Sequence, residues 1–157
     1  MFFTANGKTL EFDGMMEELG AFITQEKDLN REVKLIIGCD SQTTGNNSFI
    51  FAVAVAVHSV GYGGRFFIHR QKVKGLYHMS ERLFKEATLS LEIAERMKGN
   101  PYVDMLDGIE IHADVGHNGK SSEYANAIKS MIEGYGYAGF IKPDAAVATH
   151  IADHYVR

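Results

Sequence analysis

Two aspartates stand directly after apolar runs in this chain of 157 residues. Asp40 closes Val33-Lys-Leu-Ile-Ile-Gly-Cys-Asp40, and Asp114 closes Ile109-Glu-Ile-His-Ala-Asp114. An apolar run that ends in an acid reads as a buried strand carrying a carboxylate at its exit. In an open α/β sheet, the exits of parallel strands are where ligands gather. If these two strands are neighbours, both carboxylates share one rim. Such a pair needs a cation, or a retained proton, to settle its repulsion. Glu86 adds a third acid: it precedes Ala87 of an apolar helical stripe and lies about two turns into that helix, so it can lean toward the same rim. Taken alone, it reads as a solvated helix glutamate. A fourth acid has two candidates, Asp144 and Asp153, and Asp144 has an equally good reading as a helix N-cap.

The elements that must position these acids follow from periodicity. Phe2 to Phe12 contains Asn6-Gly7 between apolar and β-branched residues, a hairpin signal. Asp13 then caps a helix with Met15, Met16, Leu19, Phe22 and Ile23 on one stripe. Residues 1–30 thus read as an appendage packed on a core of 31–157. After the strand at 33–40, a turn at 44–47 leads into 49–57, where large side chains take odd positions and Ala52, Ala54 and Ala56 share the other face. Both faces are apolar, so this strand is central and covered on both sides. Tyr62-Gly63-Gly64 turns into 65–74, whose mixed charge suits an exposed edge. A helix at 80–97 follows, stopped by Gly99-Asn100-Pro101. Then come the strand at 109–114, a helix at 123–134, a short strand at 139–142, and a final helix opened by Pro143-Asp144.

Tight turns force the first three core strands into an antiparallel meander. Right-handed helical crossovers make the fourth and fifth strands parallel to the first. The expected fold is α/β, a five-stranded mixed sheet of order 3-2-1-4-5 flanked by helices, with an N-terminal hairpin and helix, all in a single domain.

Composition bounds the function classes. Hydrophobic residues make up 45% and charged residues 23%, an ordinary globular balance. The apolar run at 49–57 is far short of the roughly 20 residues a membrane span needs, no leader pattern is visible, and no membrane partner is expected. The lone Cys39 excludes an internal disulfide and suits a reducing cytoplasm; strand alternation turns it away from Asp40 into the core. Net charge is −4, but 65–85 carries Arg65, Arg70, Lys72, Lys74, Arg82 and Lys85 against Glu81 alone, leaving a basic segment in an otherwise acidic chain. That pattern suits phosphate contacts by Arg70, Lys72 and Lys74, with Lys120 joining them, and equally suits a charged edge strand guarding against aggregation.

At this point the chain resembles the ribonuclease H superfamily: Asp40 in its first core strand, Glu86 in the first crossover helix, Asp114 after the fourth strand. More narrowly, Gly38-Cys-Asp-Ser-Gln42, His112-Ala-Asp-Val-Gly116 with Asn118-Gly-Lys120, and Lys142-Pro-Asp144 resemble the bacterial YkuK-type ribonuclease H-like family. The resemblance covers nearly the whole chain. It implies phosphodiester hydrolysis by a two-metal mechanism, with two Mg²⁺ or Mn²⁺ held by Asp40, Glu86 and Asp114, the site completed by Asp144 or Asp153, and RNA, DNA or a hybrid as partner. The alternative is a non-catalytic nucleic-acid-binding module that keeps the fold. Oligomeric state is left open, a homo-oligomer included.

Two further readings compete. Asp40-Ser-Gln-Thr-Thr-Gly45 has some likeness to the phosphate loop of actin-like ATPases, but those need two such domains. His150 and His154, four apart beside Asp153, and His112 and His117 around Asp114, raise zinc. The helical pair lacks a metalloprotease glutamate and reads first as a surface pair. His117 is a candidate proton shuttle, its plainer reading being a solvated loop histidine.

Overall fold

The computed structural model describes residues 1–142. The final helix expected after Pro143, with Asp144, His150, Asp153 and His154, lies outside the described residues.

The chain opens with two short strands, β1 (Phe2–Phe3) and β2 (Thr9–Leu10), around the Asn6-Gly7 turn. Helix α1 (Phe12–Asp28) follows. Its N-cap is Glu11, so Asp13 is not the cap; it lies in the first turn, where its charge still suits the positive end of the helix dipole. Met15, Met16, Leu19 and Ile23 of this helix are all buried.

Three long strands form the meander: β3 (Val33–Gly45), β4 (Ser48–Ser59) and β5 (Gly63–Lys74). Asn46 and Asn47, both at positive φ, make the two-residue turn between β3 and β4. Helix α2 (Met79–Met97) crosses to a short α3 (Pro101–Asp104), which the Gly99-Asn100-Pro101 stop signal did not reveal, and on to β6 (Gly108–His112). Helix α4 (Ser122–Gly134) then leads to β7 (Ala138–Phe140).

The sheet has seven strands in the order β2-β1-β5-β4-β3-β6-β7, not five. The expected order 3-2-1-4-5 is contained in it as β5-β4-β3-β6-β7. The difference lies in the N-terminal hairpin, which is part of the sheet because β1 pairs antiparallel with β5 through Phe3 and Ile68. A two-stranded hairpin is marginal alone and gains by adding to an open edge. Consequently β5 is not the edge strand over its whole length.

Strand alternation sorts the core. Val33, Leu35, Ile37 and Cys39 of β3, with Phe51, Val53, Val55 and Val57 of β4, join buried residues of α1, α2 and α4 in one large cluster. Both crossovers run the same way across the sheet, so right-handed connections put α2 and α4 on one face, where Phe84 meets Tyr124 edge-on at 6.4 Å. On the opposite face, Ile36, Ala52, Ala54, Ala56 and Ile68 form a second buried cluster. No helix among the described residues is long and apolar enough to cross a membrane.

Candidate active site

Asp40 and Asp114 are related by register. Strands β3 and β6 pair in parallel from Lys34 with Gly108 to Gly38 with His112. Each aspartate stands two residues beyond that last pair. Asp40 does not end its strand, however. β3 continues to Gly45 because β4 keeps pairing with it, Asp40 lying opposite Ala52. The chain after His112 leaves β3 but stays tied to the segment at the end of β7, Ala113 N–H donating to the Phe140 carbonyl and Lys142 N–H to the Val115 carbonyl. A long hairpin on one side and a departing loop on the other open the cleft.

That cleft encloses about 310 Å³ and is lined by Asp40, Glu86 and Asp114, together with Arg82, Lys120 and Lys142. Three carboxylates therefore face three cations. A larger cleft of about 430 Å³ lies between the N-terminal hairpin and β5, beside Lys8 and Arg65, and carries none of these acids.

Helix α2 delivers Glu86 from its second turn, packed against β3. The side chain is 8% exposed. It accepts a hydrogen bond from Ser41 Oγ at 2.5 Å, and Arg82, one turn earlier, places Nε 3.7 Å from its Oε2. Arg82 also donates from Nε to Ser41 Oγ at 2.7 Å and from Nη2 to the Ser41 carbonyl, while its guanidinium lies over the Phe49 ring. Burial pushes the Glu86 carboxyl up to about 8, and the Asp40 and Asp114 charges push the same way, against the Ser41 hydrogen bond and Arg82. A buried acid among other acids keeps its proton until a cation arrives. Neither Ser41 nor Arg82 was singled out from sequence for this role, although Arg82 stands four residues before Glu86, the spacing of a helical ion pair.

Asp114 is half-exposed and paired with Lys142, Nζ to Oδ1 at 2.9 Å. Cys39 points into the core, where burial, then the Glu86 and Asp40 charges, raise its thiol well above the ordinary range. It is inert as a nucleophile or ligand.

Of the expected phosphate contacts, Lys120 lines the cleft. Arg70, Lys72 and Lys74 are exposed on β5. Register relates them to Asp40: it pairs with Ala52, and Ala52 pairs with Arg70 across β4 and β5. Directly opposed residues share a face, so all three basic side chains rise on the face that carries Asp40. Two strand spacings put the Asp40 and Arg70 backbones about 10 Å apart.

His117 is exposed and does not line the cleft. His112 is buried, its Nε2 3.0 Å from Glu110 Oε1 and its ring against Phe140, a packed core histidine. Among the described residues no three His, Cys, Asp or Glu side chains converge tightly enough to hold one metal ion. The carboxylates are hard oxygen donors and fit a Mg²⁺-like ion, which is commonly held by only one or two carboxylates plus waters and substrate phosphate.

The family model described as ribonuclease H-like matches residues 14–157. The chain belongs to the ribonuclease H-like family. Three solved chains match this ribonuclease H-like protein in structure. One is endonuclease V of Ciona intestinalis, solved in complex with a 24mer DNA containing an inosine followed by a ribo-adenosine. It is 12% identical, with a TM-score of 0.43, and the match covers 91% of this chain and 66% of that one. No curated protein matches in sequence.

Proposed function

We propose that this ribonuclease H-like protein is a divalent-metal-dependent nuclease hydrolysing a nucleic-acid phosphodiester, with Asp40, Glu86 and Asp114 as ligands for Mg²⁺ or Mn²⁺. The observation that carries the reading is the cleft at the ends of β3 and β6, into which Asp40, Asp114 and the buried Glu86 all bring a carboxyl group. When bound, the metal supplies an activated water and neutralises charge on the phosphate. The chain's own residues do the rest. Asp40 and Asp114 hold the rim from adjacent parallel strands. Ser41 and Arg82 fix the rotamer of Glu86. Lys120 faces the cleft as a phosphate contact, and Arg70, Lys72 and Lys74 hold the backbone of the same strand farther out. Completion by Asp144 or Asp153, a second metal ion, the narrower YkuK-type membership and a cytoplasmic setting belong to the same proposal.

A second reading, a nucleic-acid-binding module that does not cut, is favoured by one observation: Glu86 and Asp114 already have cationic partners in Arg82 and Lys142. One experiment separates the two. Native protein and Asp40→Asn are assayed for cleavage of RNA, DNA and hybrid strands in Mg²⁺ and in Mn²⁺. The Asn variant keeps shape and loses charge, so it should cut at least a hundredfold more slowly, roughly the loss expected when one electrostatic contact to a transition state is removed. Inactivity of the native protein on every substrate, or equal cutting by the variant, sinks the nuclease reading; binding without cutting establishes the second.

A further inference from the structure

We infer that Lys142 is an intramolecular counter-cation of Asp114 that competes with the divalent ion for this carboxylate. The inference rests on the metal-dependent reading above and adds a residue to it. The ion pair at 2.9 Å is not a chance meeting of two long side chains. Lys142 directly follows the buried Ile141 after β7, and its backbone N–H donates to the Val115 carbonyl at 2.7 Å, tying it to the residue next to Asp114. Its stem then runs over Gly116. A Cβ added at Gly116 would stand 3.0 Å from Lys142 Cβ and 3.7 Å from Cδ, so the missing side chain leaves the room that the lysine fills. Backbone anchor, glycine floor and ammonium together bring a positive charge onto the oxygen that a metal ion would take.

The consequence is an exchange. A carboxylate oxygen accepting from an ammonium must give up that partner, or share it, before it can bind a divalent cation. Metal binding at Asp114 therefore loosens or displaces Lys142, whose ammonium stays in a cleft that also holds Lys120. Both partners are partly exposed, 57% for Lys142 and 38% for Asp114, so the competition is modest. Exposed pairs of this kind alter an equilibrium by up to about fivefold.

The test reads metal affinity rather than cleavage. Mn²⁺ is titrated into native protein, Lys142→Gln, Lys142→Arg and Asp114→Asn, and unbound Mn²⁺ is followed by electron paramagnetic resonance. Lys142→Gln should bind Mn²⁺ about three- to fivefold more tightly than native, with the gain shrinking in high salt as screening weakens the native pair. Lys142→Arg keeps the charge and can pair with a carboxylate through two N–H groups, so it should bind no more tightly than native. Because Lys142 is exposed, the Gln variant should keep the native unfolding profile without metal to within a few degrees. If Asp114→Asn weakens binding while Lys142→Gln leaves it unchanged or weaker, the competitor role falls and the metal site stands. If native protein takes up no Mn²⁺ at millimolar concentration, the metal site falls and the competitor role with it.

Discussion

Glu86→Gln is the perturbation that most directly examines the site without requiring a substrate. The native carboxyl has an ordinary value of 4.5 and is pushed up to about 8 in the folded protein. Its proton is therefore held more tightly folded than unfolded. Between those two values the folded state binds more protons, so stability is highest below pH 4.5 and falls as pH rises toward 8. At pH 7 the cost is about 3 kcal/mol, at roughly 1.4 kcal/mol for each pH unit above 4.5. Glutamine keeps the shape and an acceptor for Ser41 but cannot ionise. In a chelator, the variant should match the native protein near pH 5 and exceed it progressively above, by about 6–12 °C in melting temperature at pH 7 given roughly 2–4 °C per kcal/mol for a domain of this size. Circular dichroism melts at pH 5, 6, 7 and 8 measure this. Asp40, Asp114 and the other titrating groups remain in both proteins, so the difference between the two curves isolates Glu86. Adding Mn²⁺ at pH 7 should restore the native protein and help the variant less. Parallel curves across the pH range would refute the reasoning, and a variant less stable than native at pH 8 would mean that Arg82 and Ser41 hold an ionised Glu86.

Millimolar Mg²⁺ or Mn²⁺ should raise the native melting temperature, because a ligand that binds only the folded state stabilises it by mass action. Asp40→Asn and Asp114→Asn should gain less, and equal gains in all three would remove these acids as ligands. Nucleic-acid affinity should fall steeply with salt, and Lys72→Gln with Lys74→Gln should flatten the log–log slope by about 1 to 2, the loss of up to two phosphate contacts. Fluorescence anisotropy of a labelled strand gives that slope, and an unchanged slope would take these lysines out of the interface. Gly20→Ala should destabilise the protein by about 1–3 kcal/mol, since the added Cβ would overlap the Tyr102 ring where α1 meets α3. Denaturant midpoints measure that cost, and a neutral result would mean that Tyr102 swings aside freely.

Local patterns made the element order legible. The alternation of Val and Ala over 49–57 marked a strand buried on both faces, and β4 is that strand. The apolar runs before Asp40 and Asp114 fall within β3 and β6, and the helical stripe containing Ala87 falls within α2. What could not be read locally depends on partners far apart in the chain. Nothing in Phe2-Phe3 announces that β1 adds to the middle of β5, because backbone hydrogen bonding across strands leaves little side-chain signature. Ser41 is an unremarked neighbour of Asp40 until α2 lies across β3, and Lys142 acquires a role only when the loop after β7 is brought beside Asp114. The extension of β3 past Asp40 was hidden because the apolar run stops there: the strand was expected to end at Asp40 and the turn to fall at 44–47, whereas β4 keeps Ser41, Gln42 and Thr43 in the hairpin.

That extension bears on how a nucleic-acid strand would meet the protein. β1 pairs with β5 only through Phe3 and Ile68, so the outer edge of β5 beyond that point has no strand against it among the described residues. The part of β5 at the end of the sheet where the acids lie carries Arg70, Lys72 and Lys74. Spaced two residues apart, these side chains repeat along one face at roughly 6.7 Å, twice the rise of a strand residue. Arg70 lies over the Phe3 ring, its centroid 4.8 Å away, so the N-terminal hairpin also orients the first cation of the row. The anti-aggregation reading of this basic edge and the phosphate-contact reading thus describe one feature. An open sheet edge beside an acidic cleft must repel other strands, and a row of positive charges does so while remaining complementary to a polyanion.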